Sequence, residues 1–295
     1  MTPSFQLVSD AQRATTVLSR APGGSRVYTL LRDGSVASFD PQDDYALSDP
    51  LENPSEDDLG EPPHLFQLVA ISDVELVAAD LDTAYRYRVG SDGLEELSRT
   101  GLGGHVSRSA LRMVANAQHA FASAGDSLVQ VGGPGWVDSD GDDFVHVALV
   151  GGALVTGRAS GLVELRDALT LDVVRTFQGL SAPVIALAIS RDGELVAAAD
   201  DSTRLRLFRS ATGEATELMA PGKLAGLAFT NDGSKLVATG LSRSLSVFEV
   251  AGSGQPVAHQ RFPELGKGYL LASLLLDDST LLVSAEHVGL GLVRL

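Results

Sequence analysis

Acidic side chains are the groups of this sequence most able to do chemistry, because carboxylates bind metal ions and transfer protons. They are densest in the run Asp-Ser-Asp-Gly-Asp-Asp at residues 138–143. Carboxylates at alternate positions around a glycine can surround a Ca²⁺ ion with oxygen ligands. Such a site also needs a bidentate carboxylate after the loop, and residues 144–147 supply none. The run therefore predicts an acidic loop, with a calcium site as the alternative.

Motifs for catalysis and for nucleotide binding are missing from the sequence. No serine lies in a Gly-x-Ser-x-Gly elbow, and no phosphate-binding glycine loop occurs. The sequence has no cysteine, which excludes disulfides, thiolate ligands and a cysteine nucleophile. No two histidines have the i, i+4 spacing of a metal-ligand pair; they are His64, His105, His119, His146, His259 and His287. We predict a protein that is not an enzyme and uses no cofactor.

The charge of the sequence restricts its partners. Against 22 Lys and Arg stand 38 Asp and Glu, which gives a formal net charge of −16 at pH 7. An acidic surface repels phosphate groups, so we expect no binding to nucleic acid and none to an anionic membrane. A protein or peptide with a basic patch is the favoured partner.

The sequence also bears on location. The opening residues, MTPSFQLVSD, lack the basic and apolar stretches of a secretory signal, and no run of eighteen apolar residues occurs. These features predict a soluble cytoplasmic protein. The shortage of lysine beside abundant arginine and alanine favours a bacterial source.

The elements that must position these residues repeat along the chain. In the clearest copy, Val184 to Ser190 is followed by Asp192-Gly193 and then by Leu195 to Ala199. Two short apolar runs joined by Asp-Gly are typical of a β-hairpin. The next copy has Asp232-Gly233 at the same place. Each copy predicts four short antiparallel strands.

Seven copies fit within the chain. Their second strands centre near Val27, Leu76, Ala120, Leu154, Leu195, Leu236 and Leu282. Spacings of about 34 to 49 residues bracket the period of a four-stranded blade. We predict an all-β fold: a seven-bladed β-propeller of four-stranded antiparallel blades, formed by residues 1–295 as a single domain. Phe5 to Ser9 would supply the outer strand of the last blade and close the ring.

Residues 179–209 resemble a blade of the WD-repeat family. Gly179-Leu180 stands where that family often has Gly-His, and Phe39-Asp40 stands where a Trp-Asp pair would end the third strand. The resemblance implies a rigid propeller that binds other proteins. It also implies a structural aspartate in the turn before the third strand, which we assign to Asp82, Asp126 and Asp201.

Residues 40–63 are the most distinctive segment, with nine acidic residues, five prolines and no Lys or Arg. Because nothing in it has the pattern of a packed element, we expect an exposed, mobile loop inserted between blades one and two. It is either a neutral insertion or a docking element that a basic partner orders.

The crossovers between blades and the turns between second and third strands are expected to lie on the same face of the propeller. Residues 40–63, 101–108 and 136–143 are predicted crossovers of blades one to four. Trp136, the only tryptophan, either packs at a blade edge or is an exposed interface anchor. We assign to a partner-binding surface Asp43, Asp44, Glu56, Asp57, Asp58, Arg108, Trp136, Asp138, Asp140, Asp142 and Arg158.

The favoured function is a non-catalytic interaction scaffold or adaptor subunit of a multiprotein complex, which binds its partner through this acidic face. One alternative is a regulatory subunit that acts on an enzyme through the same face. A further alternative is a propeller hydrolase or lactonase with a divalent metal in the central channel. That enzyme needs ligands on the innermost strands, which residues 184–190 and 224–230 do not offer.

Overall fold

A computed structural model describes residues 4–9, 15–21, 23–31, 33–41, 47–53, 63–103, 106–107, 111–262, 270–285 and 289–295. Its 27 strands form seven separate antiparallel sheets arranged in a ring, so the fold is a seven-bladed β-propeller, as predicted. Within the described ranges, no helix has the length and apolar character that would let it cross a membrane.

The strands follow one another from the innermost to the outermost position of each blade. After β1 (Ser4–Ser9), blade one has β2 (Thr15–Arg20), β3 (Val27–Leu31) and β4 (Val36–Phe39). Blade two has β5 (Gln67–Ser72), β6 (Glu75–Ala79), β7 (Thr83–Val89) and β8 (Leu94–Gly101). Blade three has β9 (Leu111–Ala115), β10 (Ala120–Ala124), β11 (Ser127–Gln130) and β12 (Trp136–Asp138).

The other four blades repeat this order. Blade four has β13 (Phe144–Val150), β14 (Ala153–Arg158), β15 (Val163–Asp167) and β16 (Val173–Phe177). Blade five has β17 (Val184–Ile189), β18 (Leu195–Asp200), β19 (Leu205–Arg209) and β20 (Ala215–Leu218). Blade six has β21 (Leu224–Phe229), β22 (Lys235–Gly240), β23 (Ser244–Glu249) and β24 (Pro256–Arg261), and blade seven has β25 (Leu270–Asp277), β26 (Thr280–Ala285) and β27 (Gly289–Arg294).

The predicted closure of the ring is confirmed. Strand β1 pairs antiparallel with β27, from Ser4 opposite Arg294 to Ser9 opposite Leu290, and is the outer strand of blade seven. The innermost strands of neighbouring blades contact each other around the ring, including β25 and β2. Each residue used to count the copies lies in the second strand of its blade. Gly193 and Gly233 turn their hairpins at φ of 76° and 69°, which glycine adopts without a steric penalty.

Blade one departs from the prediction of four regular strands, because its sheet has three. Residues 47–53 take the place of the fourth by lying along β4. Ser48 donates its N–H to the carbonyl of Ser38 at 2.8 Å, and Leu51 donates to that of Val36 at 2.8 Å. Leu47 and Leu51 pack against apolar clusters. The expectation that nothing in 40–63 packs is therefore wrong for these residues.

The core lies between blades rather than in a single centre. One cluster joins Tyr28 of blade one to Leu76 and Tyr87 of blade two, and another joins Phe177 of blade four to Phe208 of blade five. Each of these side chains is almost fully buried. Burial of one such side chain stabilises the folded state by about 1.5–3 kcal/mol. Packing of this kind holds the turns on each face in fixed relative positions.

Candidate interaction surface

Turns and crossovers share a face of the disk, as the repeat pattern predicts. Leu102, after β8, donates its N–H to the carbonyl of Asp82 at 2.8 Å, and Ser139, after β12, donates to Asp126 at 2.6 Å. Ala159 donates to Asp143 at 2.9 Å. In blades two, three and four, these bonds tie the turn before the third strand to the crossover beside it. We call this side the crossover face and the opposite side, with the remaining hairpin turns, the hairpin face.

The acidic loop at 138–143 is ordered by its own hydrogen bonds. The Asp138 carboxylate accepts the N–H of Asp140 at 2.7 Å, and Asp142 donates its N–H to the carbonyl of Ser139 at 3.2 Å. The Asp142 carboxylate accepts the N–H and hydroxyl of Ser160 at 2.8 and 2.6 Å. Asp138, Asp140 and Asp143 are exposed. The loop therefore presents several negative charges on a fixed backbone.

Arg158 supports this loop from beneath. It ends β14, and its Nη1 donates to the carbonyl of Asp142 at 2.9 Å while its Nε donates to Glu164 at 2.9 Å. Its guanidinium lies 3.6 Å from the centroid of the Phe144 ring. Arg158 is buried, so its expected place in an exposed turn is wrong. The sequence could not show this, because the burial depends on contacts of Arg158 with the 138–143 loop, with Phe144 and with Glu164.

Trp136 lies in strand β12 and not in a crossover loop, which corrects the predicted extent of that loop. Its side chain is 56% exposed. A Cβ added at Gly103 would lie 4.0 Å from the indole Nε1, so the ring stands at the junction of blades two and three. The reading of Trp136 as an exposed side chain is the one that the structure supports.

The structural aspartates are displaced from two of the predicted positions. In blade two, Asp80 accepts the N–H groups of Asp82 and Thr83 and the hydroxyl of Tyr85. In blade five, Asp200 accepts three hydrogen bonds from its own turn and the N–H of Ser181 at 2.9 Å. Burial raises the pKa of Asp200, but these hydrogen bonds outweigh it and hold the pKa below its usual value.

The residues first assigned to these roles do other things. Asp201 pairs at the surface with Lys223, whose Nζ lies 2.6 Å from its carboxylate. Asp126 contributes its backbone carbonyl to Ser139. An Asp-Asp pair in a turn does not reveal which carboxylate points inward, so sequence reasoning missed Asp200.

Several assigned residues fall outside the described part of the chain: Asp43, Asp44, Glu56, Asp57, Asp58 and Arg108. Of the assigned residues that the structure describes, Arg158 is buried, and Trp136, Asp138, Asp140 and Asp142 form one group with Asp82, Asp126 and Asp143. Hydrogen bonds through Leu102 and Ser139 connect them across blades two to four. We call this group the acidic sector.

Two inner strands carry polar residues, Arg112 on β9 and His146 on β13. Sequence reasoning considered His146 only as a metal ligand and did not consider Arg112. Burial, and then the charge of Arg112, lower the pKa of His146 to about 3. Its Nδ1 is buried and has no hydrogen-bond partner among the described residues. Across those same residues, no group of three or more histidines, aspartates and glutamates has the geometry to hold a metal ion.

No protein-family model matches the chain, and no curated protein is similar to it in sequence.

Proposed function

We propose that this propeller is a non-catalytic interaction scaffold, and that the acidic sector binds a basic segment of another protein. A seven-bladed propeller is compatible with such a role, because it holds many turns in fixed positions on a flat face. The single observation that carries the proposal is an exposed tryptophan beside an ordered acidic loop on the crossover face.

The chemistry of the sector favours a basic partner. Lys and Arg side chains pair with carboxylates, and their cationic ends also stack on tryptophan rings. Exposed tryptophan is a frequent anchor of protein interfaces. The internal hydrogen bonds of the loop reduce the entropy lost on binding, because its backbone is already ordered.

The resemblance of residues 179–209 to the WD-repeat family adds support, since that resemblance implies protein binding. A regulatory subunit would use the same surface and would differ only in having an enzyme as its partner. An adaptor and a regulatory subunit would therefore bind their partners through the same surface, and the proposal applies to both.

Affinity capture from a lysate of the source organism tests the proposal. The baits are the wild-type chain, Trp136→Ala and, as a matched control, Leu169→Ala. Leu169 is 73% exposed on the hairpin face, in the turn between β15 and β16. We expect one or more proteins to be retained by the wild type and by Leu169→Ala and to be lost from Trp136→Ala.

Equal recovery with Trp136→Ala would place the interface elsewhere and overturn the proposed surface. A failure of all three baits to retain any specific protein would contradict the scaffold function. Circular dichroism of each bait confirms that a lost partner does not reflect an unfolded variant.

A further inference from the structure

A cavity of about 580 Å³ opens at the centre of the hairpin face. Its walls include the last residues of four innermost strands, Arg20, Val150, Ile189 and Phe229. The remaining lining residues belong to the hairpin turns after them: Gly23, Gly24, Arg191, Thr230 and Asn231. Since these strands come from blades one, four, five and six, the cavity is the mouth of the central channel. Its volume is in the range of small-molecule sites.

The charge of this cavity is opposite to that of the protein. Arg20 and Arg191 line it from blades one and five, on different sides of the channel. Arg20 is held in place because its Nη2 donates to the carbonyl of Leu276. Among the described residues that line the cavity, none carries a carboxylate. Two cations thus line one cavity of a chain with a formal net charge of −16.

Carboxylates in the turns around the cavity are engaged by hydrogen bonds. Asp73 accepts the N–H groups of Ser25 and Arg26 at 3.2 and 3.0 Å. Asp192 accepts the Ser190 hydroxyl at 2.6 Å, and Asp278 accepts the N–H of Asn231. None of the three lines the cavity. Because these carboxylates already accept hydrogen bonds in their own turns, they compete less with an anionic ligand for the two arginines.

The rest of the lining is suited to an apolar group. Val150, Ile189 and Phe229 are partly exposed at the cavity. The hydroxyl of Thr230 is engaged with Asp232 at 2.7 Å, while Asn231 adds an amide at the rim. Arginine binds carboxylates and phosphates through paired N–H donors. Three apolar side chains beside two arginines match a ligand with one acidic group on an apolar body.

We propose that the hairpin-face mouth of the channel binds a small organic anion, a carboxylate or a phosphate ester carried on an apolar group. This site is separate from the acidic sector, which lies on the crossover face. The two can therefore be tested independently.

Isothermal titration calorimetry of the full chain tests this site with 2-naphthoate, 2-naphthyl phosphate and the neutral 2-naphthylmethanol. We expect both anions to bind more tightly than the alcohol and to weaken as salt is raised. Arg191→Gln is the variant of choice, because Arg191 is exposed and its loss leaves the fold intact. It should weaken binding of the anions about tenfold. Arg88→Gln, an exposed arginine of blade two paired with Glu95, is the matched control and should bind like the wild type.

Three results would each overturn the proposal. They are an absence of binding by both anions at millimolar concentration, equal binding of the neutral alcohol, and unchanged affinity in Arg191→Gln. A tighter complex with the phosphate than with the carboxylate would identify a phosphate ester as the ligand class, and the reverse order would identify a carboxylate.

Discussion

Glu164 is the residue whose surroundings most constrain the candidate surface. Its Oε2 accepts hydrogen bonds from Arg158 and Arg166, both at 2.9 Å, and from the Thr156 hydroxyl at 3.2 Å. All three charged side chains are buried. Because Arg158 also holds the carbonyl of Asp142, this cluster connects the core of blade four to the acidic sector. A substitution of Glu164 should therefore also alter the position of the acidic loop at residues 138–143.

Replacement of Glu164 by Gln leaves two buried arginines without their carboxylate. Removal of one partner from a buried ion pair costs about 3–5 kcal/mol. We expect Glu164→Gln to lower the free energy of unfolding by about 3 kcal/mol in urea at neutral pH. Glu75→Gln is the control, since its ion pair with Arg86 is partly exposed and should contribute at most about 1 kcal/mol. Equal losses in the two variants would contradict the role given to the buried cluster.

The same residue predicts how stability depends on pH. Burial raises the pKa of Glu164, but hydrogen bonds and charges from Arg166 and Arg158 outweigh it, so the pKa lies below its ordinary value of 4.5. The unfolded chain then binds a proton at a higher pH than the folded chain does. The stability contributed by Glu164 is complete above about pH 4.5 and is lost as the pH falls through the lowered value.

Urea unfolding at a series of pH values from neutral to acid checks this dependence. The wild type should lose stability on acidification, and Glu164→Gln should show a shallower loss because the titrating group is gone. Parallel curves for the two proteins would show that Glu164 does not contribute to the acid sensitivity.

At the scale of elements, the turns before the third strands fix the crossover face. Asp200 is fully buried and its carboxylate binds the turn of blade five to the crossover from blade four. Its neighbour Asp201 is exposed, and its carboxylate pairs with Lys223 at the surface. We therefore expect Asp200 to contribute more to the stability of the propeller than Asp201.

Asp200→Ala should destabilise the propeller by about 2–3 kcal/mol, since it removes, at a fully buried position, the acceptor of three backbone N–H groups. Asp201→Ala should cost well under about 1 kcal/mol, because it removes a surface pair. Thermal and urea unfolding of both variants measure the difference. A larger effect for Asp201→Ala would favour the assignment made from the sequence resemblance over the one made from the structure.

Ring closure is the other element-scale feature with a measurable consequence. Deletion of residues 1–9 removes β1 and exposes the edge of β27, whose free N–H and C=O groups can then pair with another chain. With about five backbone pairs lost, we expect a loss of about 5 kcal/mol and self-association in size-exclusion chromatography. Deletion of residues 1–3 alone leaves β1 intact and serves as the control. A monomer of unchanged stability after the longer deletion would contradict the closure.

The sequence predicts the strands and their order well because each hairpin is encoded locally. Alternating apolar residues and Asp-Gly turns at 192–193 and 232–233 give both the strand boundaries and the repeat. The burial of Arg158 and the choice of Asp200 over Asp201 depend on contacts between turns and crossovers that lie 16 and 19 residues apart in the chain, which no local pattern contains. For the same reason, the apolar packing of Leu47 and Leu51 could not be predicted from a segment rich in acid and proline.

At the scale of the whole molecule, two surfaces of opposite charge stand on opposite faces. The crossover face carries the acidic sector, and the hairpin face carries a channel mouth lined by two arginines. A formal net charge of −16 alone predicts only general attraction to cations. Because Asp138 and Asp140 lie beside Trp136, binding at this site can be distinguished from general attraction to the net charge of the protein.

The most direct test is a titration with an oligoarginine peptide, followed by the emission of Trp136, the only tryptophan of the chain. Asp138→Asn/Asp140→Asn removes two charges of the sector while keeping the oxygen that accepts the turn hydrogen bond. Asp92→Asn/Asp172→Asn removes two exposed charges of the hairpin face and matches the change in net charge. We predict a saturable change in emission for the wild type. The affinity for the peptide should fall about tenfold in the first variant and stay within about twofold of the wild-type affinity in the second. Equal affinity of the two variants, or binding without any change in Trp136 emission, would contradict the account.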